Sequence, residues 1–227
     1  MPVIALVAAG ARLGLSIGKK FGAHGFDVAL IARSEERLGE LVGKLTAEGV
    51  EAAGFSADVM DRSALTSALG AAVERFDRID VLHYSAPHVP VGGGGMAGVL
   101  DVSVENLRPQ IEASCYGAIT ATRAVLPAMM QAGTGTLLYT TGASSVSPTP
   151  WAGAAGAAGA ALRNWALNLN EALAAQGIYV GHVALGAWLA GTPGAPADAS
   201  LVEPDDIAAV HWGMYANRFP GERLITP

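Results

Sequence analysis

Residues 7–14 read Val7-Ala8-Ala9-Gly10-Ala11-Arg12-Leu13-Gly14 and join the first apolar run of the chain to its first helical pattern. The run over 3–8 is apolar at every position, which is typical of a strand buried on both faces of a parallel sheet. A glycine-containing turn at this place lets the backbone approach a phosphate group, which then binds free N–H groups at the start of the helix. The turn therefore indicates a phosphate-binding unit.

Short apolar runs alternate with longer helical patterns along the rest of the chain. Strands are predicted over 3–8, 26–32, 52–57, 79–85, 136–141, 178–184 and 223–226. Helices are predicted over 14–24, 34–48, 62–76, 104–131, 153–175 and 205–218, with Asp61 and Ser103 as caps and Pro127 as a kink or an end. Such an alternation predicts an α/β fold, in which a doubly wound parallel sheet of about seven strands is flanked by helices on both faces. We expect one Rossmann-type domain over 1–227.

The composition favours small-molecule and protein partners. The net charge of −6 argues against nucleic acid, because affinity for phosphate backbones depends on clustered Lys and Arg. Cys115 is the only cysteine, which excludes an internal disulfide and a multi-cysteine zinc site, and no metal site is predicted. The chain opens without a basic leader and has no run of ~20 apolar residues, so we expect a cytoplasmic protein with no membrane segment.

From the glycine-containing turn onward, the order of segments resembles the short-chain dehydrogenase/reductase family. That family opens with Thr-Gly-x-x-x-Gly-x-Gly, and its last motif glycine lies eleven residues before the glycine that closes helix one, here Gly25. This register places the last motif glycine at Gly14, the second at Arg12 and the first at Ala8. The alternative register places the first two motif glycines at Gly10 and Gly14. We adopt the first register, in which only the last glycine is kept and the phosphate loop is degenerate.

The resemblance implies an NADP(H) site. Ala32 followed by Arg33 matches the pattern that accommodates a 2′-phosphate, although Arg33 also fits the start of an exposed helix. Arg12 has two interpretations: it binds a cofactor phosphate, or its bulk blocks the pyrophosphate. Together the positions carried over as cofactor-binding are Gly10, Arg12, Leu13, Gly14, Arg33, Ser34, Asp58, Val59, Ser85, Ala86 and Gly186.

The family's catalytic residues are missing. Its members use a tyrosine as the acid and a lysine four residues later, a spacing that puts both on one helix face so that the ammonium lowers the phenol pKa. The run Ala160-Ala161-Leu162 aligns with the residues that follow this lysine. The four positions of the family's Asn-Ser-Tyr-Lys tetrad are therefore Ser114, Gly142, Ala155 and Gly159.

Few residues could replace this tetrad. Lysine occurs only at positions 19, 20 and 44, and Tyr139 should point away from Gly142. The residues that edge the family's pocket, and that could contact a ligand, are Tyr84, His88, Thr141, Ser144 and Trp151.

Three functions remain open. The chain is an NADP(H)-binding oxidoreductase with a degenerate site, a catalytically silent subunit or nucleotide-dependent partner, or a non-redox enzyme such as a cyclase or isomerase. The resemblance also implies a homodimer or homotetramer through the helices over 104–131 and 153–175. Trp165 and Leu169 are candidate anchors of this contact, and Arg163 is expected at a subunit contact.

Overall fold

Seven parallel strands form the main sheet of the computed structural model, in which residues 1–85, 89, 96–192, 195 and 197–226 are described. The strand order is β3-β2-β1-β4-β5-β6-β9, and every neighbouring pair in it is parallel. The bounds are β1 Val3–Val7, β2 Asp27–Ala32, β3 Ala52–Ser56, β4 Val81–Ser85, β5 Gly135–Gly142, β6 Ile178–Leu185 and β9 Glu222–Ile225. The predicted sheet of about seven parallel strands is confirmed.

The helices cover both faces of this sheet. Their bounds are α1 Leu13–Gly22, α2 Glu35–Thr46, α3 Arg62–Phe76, α4 Val104–Ile111, α5 Gly117–Ala132, α6 Gly153–Leu173 and α7 Pro204–Asn217. One apolar core packs α3, α5 and α6 against the sheet, and a second core packs α1, α2 and α7 against the other face. The chain therefore folds as a single α/β domain of the Rossmann type.

Local capping explains why several helices begin where the sequence predicts. The Asp61 carboxylate accepts hydrogen bonds from the backbone N–H groups of Ser63 and Ala64, so α3 begins at Arg62. Ser103 forms a capping box with Asn106 at the start of α4. Both side chains satisfy backbone donors that have no partner inside the helix.

The helix predicted over 104–131 is not regular. It consists of α4, a π-helical turn over Glu112–Tyr116, and α5, which continues through Pro127 to Ala132. Pro127 therefore does not end the helix; α5 ends at Ala132, and the next residue, Gly133, has a positive φ of 65°. A glycine adopts this left-handed conformation without a steric penalty.

Two short strands were not predicted. β7, Trp188–Leu189, pairs in parallel with β8, Leu201–Val202, and together they form a separate two-stranded sheet. Each has only two residues, too few to show a period in the sequence. Among the described residues no helix has the length and apolar character needed to cross a membrane.

Candidate functional site

A cleft of about 950 Å³ lies at the carboxyl ends of β1, β2, β3 and β4. Ala8, Ala32, Ala57 and Ser85 line it, each at or directly after the end of one of these strands. The strand order reverses between β1 and β4, and the crevice at such a reversal is where open α/β sheets bind ligands. The glycine-containing turn contributes the wall of this cleft, with Gly10, Arg12, Leu13 and Gly14.

The backbone of the turn favours the register that begins at Ala8. Ala8 has a φ of 59°, a left-handed conformation that glycine adopts far more readily than alanine. A Cβ on Gly14 would lie 3.1 Å from the Cα of Ala9, so glycine is needed there for close helix packing. Gly10 has open space where its Cβ would be. The backbone at Ala8 and at Gly14 therefore suits a glycine, which the family motif has at these two positions, its first and its third glycine.

Arg12 links the turn to the segment after β7. Its Nη1 donates a hydrogen bond of 3.3 Å to the carbonyl oxygen of Gly191. Its Nε is buried and finds no acceptor in the part of the chain that the structure describes. The guanidinium therefore lies at the cleft wall with one N–H group, on Nε, that has no acceptor among the described residues. This geometry is compatible with Arg12 binding a phosphate and with Arg12 blocking the pyrophosphate.

Cationic side chains gather where β2 meets α2. Arg33 is highly exposed, and its Nη1 lies 4.0 Å from Asp58 Oδ2 across the cleft mouth. Arg37 also lines the cleft, from the first turn of α2, and was not identified from the sequence as a cofactor-binding residue. The Ser34 hydroxyl accepts the Arg37 backbone N–H at 3.3 Å and so caps α2. This corner offers two exposed guanidinium groups beside a helix N-terminus, which suits an anion.

The remaining cofactor positions divide into two groups. Asp58, Val59 and Ser85 line the cleft, and Asp58 Oδ1 accepts the backbone N–H of Met60 at 2.9 Å. Gly186 does not line it: its N–H donates to the Ile225 carbonyl at 2.7 Å, and a Cβ there would lie 2.9 Å from that oxygen. Ala86 lies outside the described residues, as does His88.

The four tetrad positions lie outside the lining of this cleft. Ser114 belongs to the π-helical turn, Gly142 ends β5, and Ala155 and Gly159 lie on α6. The small residues of α6 have a packing role within the chain, because the turn over Ala143–Ser145 lies directly on them. A Cβ on Gly159 would lie 3.1 Å from Ser145 Cβ. None of these four side chains can act as a general acid near neutral pH.

The other candidate side chains have different surroundings: two pack in or against the core, one is exposed and one forms an ion pair. Tyr139 is fully buried, and its hydroxyl lies 2.6 Å from Thr122 Oγ1 on the face covered by α5. Trp165 packs edge-on against Tyr139, so part of its surface is used inside the chain. Trp151 is exposed. Arg163 binds Glu222 of the same chain through two hydrogen bonds of 2.6 and 2.7 Å.

Tyr84 is buried and supports the π-helical turn instead of edging the cleft. The Gly117 N–H bonds to Glu112 O, five residues back, which leaves the Ala113 carbonyl free to accept the Tyr84 hydroxyl. A Cβ on Gly117 would overlap the Tyr84 hydroxyl oxygen. Burial raises the pKa of Tyr84, so its phenol remains protonated and donates. Ala113 also lines the cleft, so this hydrogen bond fixes part of its wall.

Comparisons with known proteins agree with this geometry. Residues 2–195 match the short chain dehydrogenase family. An uncharacterized oxidoreductase of Staphylococcus epidermidis is 27% identical over 184 residues, which cover 81% of this chain and 76% of that protein.

Solved structures give the same result for the fold. A short-chain dehydrogenase from Rhodopseudomonas palustris has a TM-score of 0.81 and 24% identity, covering 100% of this chain and 98% of that one. An alcohol dehydrogenase from the archaeon Thermococcus sibiricus, complexed with 5-hydroxy-NADP, has a TM-score of 0.84 and 22% identity. The match covers 99% of this chain and 96% of that one. With its sheet order, its cleft and this match over most of its length, the chain belongs to the short-chain dehydrogenase family of oxidoreductases.

Proposed function

We propose that this protein is a divergent oxidoreductase that binds NADP(H) in the cleft at the ends of β1 to β4 and lacks the family's tyrosine–lysine acid. The observation that carries the proposal is the pair Arg33 and Arg37 at the start of α2, beside Ala32. An acidic residue at position 32 would repel a 2′-phosphate, whereas alanine does not. Two guanidinium groups supply charge-assisted donors for that phosphate.

The residues that line the cleft suit the adenosine and pyrophosphate parts of a dinucleotide. The turn from Ala8 to Gly14 would hold the pyrophosphate, with the spare Arg12 donor as a further contact. Asp58 and Val59 would flank the adenine, and Ser85 lies toward the nicotinamide half. When bound, the cofactor supplies hydride transfer to or from a carbonyl carbon. The chain's own part is to bind and orient it and to provide a route for the proton.

The missing tyrosine and lysine lower the rate of the proton transfer. The residues proposed to bind the dinucleotide are different ones. Ala155 and Gly159 offer no acid and no ammonium, and a missing general acid usually costs ~10²- to 10⁴-fold in rate. A catalytically silent subunit is the second candidate, supported by the same two residues. Both candidates predict that the protein binds the dinucleotide. Only the oxidoreductase is expected to turn the bound cofactor over.

Titration calorimetry with NADP⁺ and NAD⁺ tests the proposal. Wild-type protein should bind NADP⁺ more tightly, and Arg33→Ala and Arg37→Ala should each narrow the difference. Arg75→Ala is the matched control, because Arg75 is an exposed arginine that pairs with Glu51 and does not line the cleft. A wild-type preference for NAD⁺, or equal effects of all three variants, would refute the proposal.

We also propose that Arg12 is a phosphate ligand. Its buried Nε lacks an acceptor among the described residues, and a pyrophosphate oxygen would supply one. Arg12→Gly should then weaken NADP⁺ binding by about 1.5–3 kcal/mol, the scale of a hydrogen bond to a charged group. Stronger binding in this variant would show that Arg12 blocks the cleft, and unchanged binding would exclude both roles.

We further propose that the protein works in the cytoplasm as a homodimer or homotetramer. Apolar side chains are exposed beside α4 and at the start of α6, among them Leu100, Val104 and Trp151. A second copy packed through these helices would remove this surface from water. Light scattering should give a mass of at least twice 23.0 kDa, and a monomeric mass at micromolar concentration would refute this part.

A further inference from the structure

A chain of short hydrogen bonds runs through the protein beneath the tetrad positions. Ser145 Oγ lies 2.8 Å from Thr141 Oγ1, and the same Thr141 oxygen lies 2.8 Å from His182 Nε2. On the other side of the ring, His182 Nδ1 lies 3.0 Å from Glu222 Oε1. Arg163 then holds both oxygens of Glu222. No gap in this chain exceeds 3.0 Å.

The two ends of the chain lie in different surroundings. Ser145 is buried, three residues after Gly142, and its Cβ fills the space beside Gly159. Thr141 directly precedes Gly142. Glu222 and Arg163 are partly exposed, with 25% and 31% of their side chains open to solvent. The chain therefore connects the place of the family's serine and lysine with the protein surface.

The hydrogen positions follow from the partners. The Arg163 hydrogen bonds, more than any other contact, lower the pKa of Glu222 and keep it ionised, so its oxygens only accept. His182 must then donate from Nδ1, which leaves the lone pair of Nε2 to accept the Thr141 hydroxyl hydrogen. Thr141 has a longer alternative acceptor, the Gly142 carbonyl at 3.3 Å. With its hydrogen on the shorter bond, the Thr141 oxygen accepts from Ser145.

Burial, more than the surrounding charges, keeps the imidazole of His182 neutral, so that one ring nitrogen has a lone pair that can accept a hydrogen. Burial lowers the pKa of His182, and Arg163 lowers it further, while Glu222 raises it. From α7, His211 faces this group, and burial lowers the pKa of His211 as well. A neutral imidazole with an ionised carboxylate behind it is the arrangement of a general base.

We propose that Ser145, Thr141, His182 and Glu222 form a proton relay that replaces the missing tyrosine–lysine pair, with Ser145 Oγ as the group that accepts the proton of a substrate hydroxyl. The inference rests on the proposed function, because the substrate class it names is a secondary alcohol oxidised by the bound nicotinamide dinucleotide. It identifies four residues of this chain that the family's tetrad does not contain.

The step balances in atoms and electrons. The substrate O–H bond breaks and its hydrogen passes to Ser145 Oγ, the Ser145 hydrogen passes to Thr141 Oγ1, and the Thr141 hydrogen passes to His182 Nε2. The electron pair left on the substrate oxygen forms the carbonyl, and the hydride leaves its carbon for oxidised nicotinamide. His182 becomes an imidazolium, which Glu222 stabilises through the retained Nδ1–H.

The first experiment needs no substrate. In ¹⁵N-histidine NMR spectra of the wild-type protein at neutral pH, His182 should carry its proton on Nδ1. Thr141→Val should shift the Nε2 resonance because its donor is lost, and Thr141→Ser should restore it. A proton on Nε2 in the wild type would overturn the proposal, since the relay could not then accept a proton.

The second experiment measures oxidation of a panel of secondary alcohols with NADP⁺. Thr141→Val and Ser145→Ala should each lower kcat by at least ~10²-fold, with the affinity for NADP⁺ unchanged and with activity recovered in Thr141→Ser. Thr140→Val is the matched control: Thr140 is the adjacent buried hydroxyl of β5, and it binds His83 and His211 instead. It should lower stability and leave kcat unchanged.

The pH profile separates a relay from a structural cluster. The rate should fall as the pH drops and His182 becomes protonated, and in Glu222→Gln this limb should move to lower pH, because the carboxylate that favours the imidazolium is gone. A limb that does not move would overturn the relay. If the protein binds NADP⁺ but oxidises no alcohol of the panel, the relay is wrong and the cofactor site stands. If NADP⁺ does not bind, the proposed function fails, and the NMR experiment still decides the relay.

Discussion

Ala8→Gly should stabilise the protein. Ala8 is held at a φ of 59°, where an L-residue costs roughly 1–2 kcal/mol and glycine adopts the conformation freely. Glycine also increases the entropy of the unfolded chain, which offsets about 0.4–1 kcal/mol of this gain. With the middle of each range, the free energy of unfolding should therefore rise by about 0.8 kcal/mol. The same change restores the first glycine of the family motif, so NADP⁺ binding should be at least as strong.

Urea unfolding followed by circular dichroism measures this effect, and the melting temperature should rise by about 1–4 °C in a chain of this length. Ala11→Gly is the matched control on the same turn, because Ala11 is exposed and its φ is not positive. This control should lose about 0.4–1 kcal/mol. If Ala8→Gly loses as much as Ala11→Gly, the left-handed conformation of Ala8 and the register built on it are both refuted.

Tyr84→Phe should lower the free energy of unfolding by about 1–3 kcal/mol, because the buried Ala113 carbonyl loses its donor; unchanged urea unfolding would contradict this hydrogen bond. Gly117→Ala should also destabilise the protein, and the double variant should lose less than the sum of both, since phenylalanine removes the oxygen that the new Cβ would meet. Acid should destabilise the fold, because burial lowers the pKa of His83 to about 3 and lowers that of His211 well below its ordinary value. Below about pH 6.5 these two histidines bind protons in the unfolded chain but stay neutral in the folded protein. The free energy of unfolding therefore falls by up to about 1.4 kcal/mol per pH unit for each histidine. Urea unfolding at pH 7 and pH 5 should show this loss, which His83→Gln should reduce, whereas equal stability at the two pH values would contradict it.

The fold was predictable because its signals are local. Most strands of the main sheet are largely apolar runs, such as β1, whereas β9 has two charged residues among its four. The predicted and observed bounds differ by at most two residues, as in β4, predicted over 79–85 and observed over Val81–Ser85. The helix over 62–76 was placed correctly because Asp61 caps it. The π-helical turn at Glu112–Tyr116 was missed because its cause, the Tyr84 hydroxyl, lies 29 residues away in the sequence.

The candidate site divides in the same way. The turn from Ala8 to Gly14 could be aligned because its residues are contiguous, and the structure gives Ala8 the backbone conformation that a motif glycine would have. Arg37 was recoverable as well, since it lies in the first turn of the helix that begins next to Arg33. The relay was not: His182 lies 41 residues from Thr141 and 40 from Glu222, and only the parallel pairing of β5, β6 and β9 brings these side chains together.

The missing lysine and the buried relay are one structural change. A lysine at position 159 must begin with a Cβ, and that atom would lie 3.1 Å from Ser145 Cβ, closer than side chains normally pack. A lysine at 159 therefore requires Ser145 to move by a few tenths of an ångström from its present place. With glycine at 159, Ser145 lies where its Oγ approaches Thr141 Oγ1 to 2.8 Å. Restoring the family's lysine would accordingly displace the first residue of the relay before it rebuilt the family's own acid.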